Sequence, residues 1–180
     1  MTQPTTTRPA TEPPEQDAVT DVDRLVAIGR YDFDSPPLKA ALVRFAKEAA
    51  DLMGLPIGLV SIVLGDTQFF AGSYGIDGTW MADTGGTPVE WSFCANVVRT
   101  GDPYLVEDAE TDPFQFDNPL VLLDGIRSYV GVPLVTSSGH VLGTCCTIGN
   151  TMREFADTEI TALQAISRRI VDELDRHLVD

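Results

Sequence analysis

Apolar residues recur every three or four positions through Leu38, Leu42, Phe45, Ala46, Ala49, Leu52 and Met53, the spacing of one buried helix face. Ser35 is placed to cap this helix, Pro36 suits its first turn, and Gly54 with Pro56 ends it. The same period returns over residues 157–178, where Ile160, Leu163, Ile166, Ile170, Leu174 and Leu178 make a stripe with charges opposite. At about 1.5 Å per residue this second helix would run roughly 30 Å. A shorter helix, capped by Asp21 or Asp23, carries Leu25, Val26 and Ile28 and stops near Gly29.

Between these helices the period changes. Residues 57–64 are β-branched and too few for a helix, Gly65-Asp66 supplies a turn, and residues 68–74 read as the returning strand. Residues 75–90 have no period and read as a loop, followed by a short helix over 92–99 capped by Ser92 and a short strand over 104–107. Asp112-Pro113 and Asn118-Pro119 punctuate residues 108–124, which predicts an irregular crossover with one or two helical turns. Residues 126–136, the Ser138-Gly139 turn and residues 140–148 form a second hairpin. Terminal helices around two hairpins and one more strand predict an α+β domain with a largely antiparallel sheet.

Composition narrows the function classes. Residues 1–20 are Thr, Pro, Glu and Gln with little to bury, so a disordered tail is expected there and a single domain over 21–180. The net charge of −15 disfavours phosphate backbones and anionic membranes as partners, so neither a nucleic acid nor a membrane is expected. That charge is uneven: residues 24–47 carry +3, whereas residues 48–152 carry −11 with only Arg99 and Arg127 as cations. Three cysteines, Cys94, Cys145 and Cys146, show no disulfide or zinc spacing, no apolar run is long enough to span a membrane, and no signal-peptide layout opens the chain. A reducing, cytoplasmic setting is expected.

The central motifs then become recognisable. Trp91-Ser92-Phe93-Cys94-Ala95, residues 103–109 (PYLVEDA), Thr111-Asp112-Pro113-Phe114, Asn118-Pro119-Leu120-Val121, residues 125–134 (GIRSYVGVPL) and 139–144 (GHVLGT) together resemble the GAF domain. Leu55-Pro56-Ile57 and Phe155-Ala156-Asp157 fit the same pattern, so the likeness runs over about residues 24–178. The resemblance implies a sheet of about six antiparallel strands flanked by helices, with the N- and C-terminal helices on one side. It also implies a small-molecule pocket between one sheet face and the crossover, and a sensory or regulatory role. With no kinase or cyclase module beside it in these 180 residues, the expected output is a signalling protein partner in trans.

Candidate ligand-binding residues follow from these motifs: Phe93 and Cys94 in the WSFCA segment, Asp108, Phe114 and Asn118 in the crossover, and Arg127 and Tyr129 on the next strand. Arg127 and Tyr129 are two apart and would share a strand face. Arg127 is the one fixed cation in the region, and the alternative is a structural ion pair with Asp108, Asp112 or Asp124. Cys94 at a helix start is a candidate reactive thiol or a small buried hydrophobe, and no second thiol or base lies near it in sequence. Asp and Asn before Pro are alternatively turn formers, and Phe116 lies in the same segment. Cys145 and Cys146, adjacent on a strand, would point to opposite faces, and no metal site is expected.

The leading function is a non-catalytic sensor of an unidentified ligand or partner, with the cofactor unknown. The Asn-Lys…Phe…Asp-Glu pattern associated with cyclic-nucleotide GAF domains is absent, and Cys94 is followed by Ala95 rather than by the His of bilin-attaching domains. One alternative is a thiol reductase of free methionine sulfoxide using Cys94, and another is a purely structural dimerisation or docking module. A homodimer is expected through the terminal helices, with Ile170, Leu174 and Leu178 in its interface.

Overall fold

The computed structural model describes residues 16–179. Helix α1 (Val22–Ile28) and helix α2 (Pro36–Met53) precede the hairpin of β1 (Ile57–Val63) and β2 (Thr67–Tyr74). The segment expected as a loop contains helix α3 (Trp80–Thr84) and strand β3 (Gly86–Pro88). Thr79 caps α3 by accepting from the Ala82 amide, and the three residues of β3 were too few for a period to register. Helix α4 (Cys94–Thr100), strand β4 (Tyr104–Val106), the single turn α5 (Pro119–Leu122), strands β5 (Ser128–Val135) and β6 (Val141–Gly149) and helix α6 (Asp157–Asp175) complete the chain. The fold is α+β, with one antiparallel sheet of six strands in the order β3-β2-β1-β6-β5-β4.

Side-chain alternation divides the core in two. Val60, Ile62, Val132, Leu134 and Cys145 face α2 and α6, whereas Leu59, Val63, Tyr129, Cys146 and Ile148 face α4, α5 and the crossover. Helix α2 lies close against the sheet because β1 offers Gly58 there, where a Cβ would come within 1.9 Å of the Ala46 carbonyl oxygen. Helix α6 packs along α2, where Arg169 of α6 pairs with Glu48 of α2. Ile170 and Leu174 are fully covered in this monomer core. They form no free interface face, because Ile28 at the end of α1 and Tyr31 in the connection to α2 join them in the same buried cluster. Helix α6 ends at Asp175, and Leu178 lies beyond it in a bridge to Tyr31.

Residues 1–15 of the expected tail lie outside the described residues. Residues 17–20 pack on the domain: Asp17 accepts from the Val19 amide and pairs with Arg99, and Val19 is 1% exposed. Arg24, 3% exposed, holds this turn in place. Its guanidinium donates to the carbonyls of Ala18 (3.0 Å), Val19 (2.6 Å), Val63 (2.8 Å) and Val141 (3.2 Å). Sequence pattern misses this use of an arginine, since the partners are carbonyls rather than side chains.

The β6–α6 junction is tied by Arg153, which donates to Met53 O at the end of α2 (2.7 Å) and to both carboxylate oxygens of Glu159. Glu159 also accepts from the Ala156 amide (2.9 Å), holding the first turn of α6. The Arg153 hydrogen bonds, followed by that amide, bring the Glu159 carboxyl down from its ordinary 4.5 to about 2. A depressed carboxylate stabilises the fold above its unfolded value and loses that contribution as pH falls toward its folded value. Between pH 4.5 and about 2, wild type should therefore lose more stability than Glu159→Gln. The pair is partly exposed, so the difference is about 1 kcal/mol, readable as converging urea midpoints; parallel midpoints would refute it.

Candidate functional site

On the crossover face of the sheet, strand period two brings Leu59, Ser61, Thr144, Cys146, Tyr129 and Gly131 to one side. Register fixes who meets whom: Ser61 lies opposite Thr144, Leu59 opposite Cys146, and Cys146 opposite Gly131. Helix α4 closes over this patch. Ser92 Oγ accepts from the Ala95 amide (3.1 Å), the expected cap, and donates to Gln68 Oε1 (2.7 Å), whose amide donates to Thr87 Oγ1 (2.8 Å). That buried chain anchors the start of α4 to β2 and β3, and it sets Cys94 directly above the sheet.

Cys94 Sγ is 3.8 Å from Cys146 Sγ and accepts from Thr144 Oγ1 (3.1 Å) and Tyr129 OH (3.3 Å). The Tyr129 ring can lie along β5 only because residue 131 is glycine, since a Cβ there would stand 2.1 Å from the phenol oxygen. Phe93 and Tyr104 pack against that ring at 5.1 and 5.8 Å. The Ser61 hydroxyl, on the same sheet face, is buried with no hydrogen-bond partner. Burial pushes the Cys94 thiol up, but the hydrogen bonds from Cys146, Thr144 and Tyr129 outweigh it and hold it below its ordinary value. Cys146 moves the opposite way, raised by its bond to Cys94 and then by burial. Cys145, on the far face as strand alternation requires, is raised by burial to about 12.

Around this cluster, Met81, Phe93, Leu120, Ile126 and Tyr129 leave only about 20 Å³ of free space. That is room for one water. Phe93, Cys94 and Tyr129 thus come together, and their side chains line the small remaining space.

The other four candidates lie away from it. Arg127 precedes β5 and donates to Asp108 Oδ1 (3.0 Å), with Glu110 at 3.3 Å, so the structural pair is the one that forms. Asn118 caps α5 through the Leu120 amide (2.9 Å) and donates to Trp91 O and Gln115 Oε1. Phe114 is 72% exposed and is not among the residues lining the cavity. Tyr104 OH donates to Asp112 Oδ1 (2.9 Å), pinning the crossover to β4. No group of three or more His, Cys, Asp or Glu among the described residues is placed to hold a metal, and none of their helices is long and apolar enough to cross a membrane.

Sequence reasoning missed the pairing of Cys94 with Cys146, although the sequence did carry a signal for the strand half of the site. Counting back evenly from the Ser138-Gly139 turn puts Gly131 opposite Cys146 and Tyr129 opposite Ile148, as observed. What the chain could not reveal was where α4 would land.

Comparison with known proteins agrees with this architecture. The family model described as GAF domain matches residues 37–174. A cyclic di-GMP phosphodiesterase of Pseudomonas aeruginosa is 35% identical over 118 residues, 64% of this chain, which spans only 19% of that protein. The GAF domain of an Acinetobacter phosphoenolpyruvate-protein phosphotransferase superposes with a TM-score of 0.62 at 15% identity, covering 86% of this chain and 92% of that one. A type II free methionine-R-sulfoxide reductase from Thermoplasma acidophilum does so with 0.63 at 12% identity, covering 82% and 99%. At these identities the two structures speak for the fold alone.

Proposed function

Because the chain belongs to the GAF domain family, a sensory and regulatory fold, we propose that it is a non-catalytic regulatory domain that works in trans by protein contact. The observation that carries this reading is the filled cavity: about 20 Å³ remains where a small ligand would sit. A free amino-acid sulfoxide is many times larger than one water, which argues against the reductase alternative in this conformation. The match to the phosphodiesterase takes in a fifth of that protein, which supports reading this chain as the counterpart of a regulatory portion of it.

Two surfaces suit contact. The crossover exposes Phe114, Phe116, Leu122 and Leu123 at 53–83% amid Glu107, Asp112, Asp117 and Asp124. A partner presenting apolar side chains with Lys or Arg around them would match it. On the opposite side, an open groove of about 580 Å³ between α2 and α6 is lined by Leu52, Ala162, Ala165 and Ile166, with Lys47 and Arg169 at its rim. Cations of one copy can there meet the acids of another across a two-fold axis.

Native mass spectrometry of protein purified from its own host tests both points. The expected species is a dimer near twice 19.5 kDa with no small molecule attached, and Ala165→Glu is expected to be monomeric and folded. A stoichiometric co-purifying ligand would overturn the filled-cavity reading, and a monomeric wild type at tens of micromolar would remove the dimer.

A further inference from the structure

The Cys94 and Cys146 sulfurs lie 3.8 Å apart, at van der Waals contact, and they come from elements 52 residues apart in the chain. Neither is needed to cap a helix or to complete a strand. An ordinary packing pair would sit among carbon atoms. This one is ringed by the hydroxyls of Thr144 and Tyr129, both aimed at Cys94 Sγ, and by the orphaned Ser61 hydroxyl. Ser61 is one of three buried hydroxyls without a partner among the described residues, with Ser128 and Thr147, and it is the one on the same sheet face as Thr144 and Cys146, free to serve an oxygen formed at the sulfur. Both thiols also border the water-sized cavity.

We propose that Cys94 and Cys146 are an oxidisable thiol pair, in which hydrogen peroxide that reaches Cys94 as the cavity wall opens converts it to a sulfenic acid and Cys146 resolves it to an intramolecular disulfide. In the first step Cys94 gives up its proton and its sulfur attacks one peroxide oxygen. The O–O bond breaks, and the departing hydroxide takes the proton to leave as water. In the second, Cys146 loses its proton and its sulfur attacks Cys94 Sγ. The S–O bond breaks, and hydroxide leaves with that proton as a second water. Two thiols and one peroxide give one disulfide and two waters. Cys94 is the attacking sulfur because Thr144 and Tyr129 donate to it, an arrangement that favours the thiolate, whereas Cys146 keeps its proton until it resolves. Ser61 is placed to donate to the sulfenate oxygen between the two steps. Cys145 takes no part, since it faces α2 and α6 on the far side of the sheet.

This inference goes beyond partner binding and stands or falls separately from it, because its readout is the covalent state of the sulfurs. Folded wild-type protein is exposed to hydrogen peroxide, then denatured and alkylated without reduction, and its intact mass and peptides are measured. The expected product is monomeric, lighter by about 2 Da before alkylation, with Cys94 linked to Cys146 and Cys145 alkylated, and a dithiol reductant restores three free thiols. Cys145→Ser should behave as wild type, whereas Cys146→Ser should accumulate sulfenic and sulfinic acid at Cys94. If Cys146→Ser does not fold, the wild-type peptide map decides alone. Three free thiols after a peroxide dose that fully oxidises glutathione would overturn the proposal, as would a linkage through Cys145 or between chains.

Discussion

Tyr129→Ala is expected to unfold at a temperature lower by on the order of 10 °C and to open a cavity behind the sheet. The Tyr129 side chain is 1% exposed and touches Phe93, Tyr104 and Cys94. Truncating a buried aromatic to Ala costs about 3–5 kcal/mol in lost transfer and cavity terms, and in a domain of this size each kcal/mol moves the midpoint by about 2–4 °C. Tyr129→Phe keeps the ring and forfeits only the hydroxyl bond to sulfur, so it should cost about 1 kcal/mol. A second readout separates filling from mere stability: a small apolar probe such as indole should stabilise Tyr129→Ala and leave wild type unmoved. Wild type responding equally to indole would show that the cavity is open in solution, and the case for a filled pocket would go with it.

Arg24→Met is the other substitution with a large expected effect, although it touches no part of the cavity. Four carbonyls from three separate segments lose their donor at once, and Val19 O and Val63 O are buried. Each buried carbonyl left without a donor costs about 1–3 kcal/mol, so two of them together make a loss of roughly 2–6 kcal/mol the expectation. Arg24→Lys should recover only part of this, since one ammonium cannot reproduce the planar fork that serves four acceptors. Deleting residues through Thr20 should also destabilise, removing two of the acceptors and the buried Val19, whose side chain is worth about 1.5–3 kcal/mol. The check is a urea titration of each variant, and an Arg24→Met midpoint equal to wild type would show that water replaces the guanidinium.

The contrast between these residues explains what the sequence disclosed. Helices α2 and α6 were legible because each buries one face over five turns, so periodicity repeats often enough to read. Both hairpins were legible from turn chemistry at Gly65-Asp66 and Ser138-Gly139. Strand β3 and helix α3 were hidden because three and five residues carry no period. Arg127 could be read either as a pocket cation or as the partner of Asp108, Asp112 or Asp124, and only the fold, which sets Asp108 19 positions away against it, selects the pair. Cys94 looked solitary for the same reason: its resolving partner is distant in sequence, and only the landing of α4 on β6 makes them neighbours.

The sheet's boundaries carry one further consequence. Its outer strands, β3 and β4, are three residues each, and β3 ends in Pro88, which has no amide to donate. A neighbouring chain therefore finds almost no ladder to extend at either margin. Growth by strand addition is blocked at both ends, so copies of this protein can accumulate or be held close together without propagating one another's sheets.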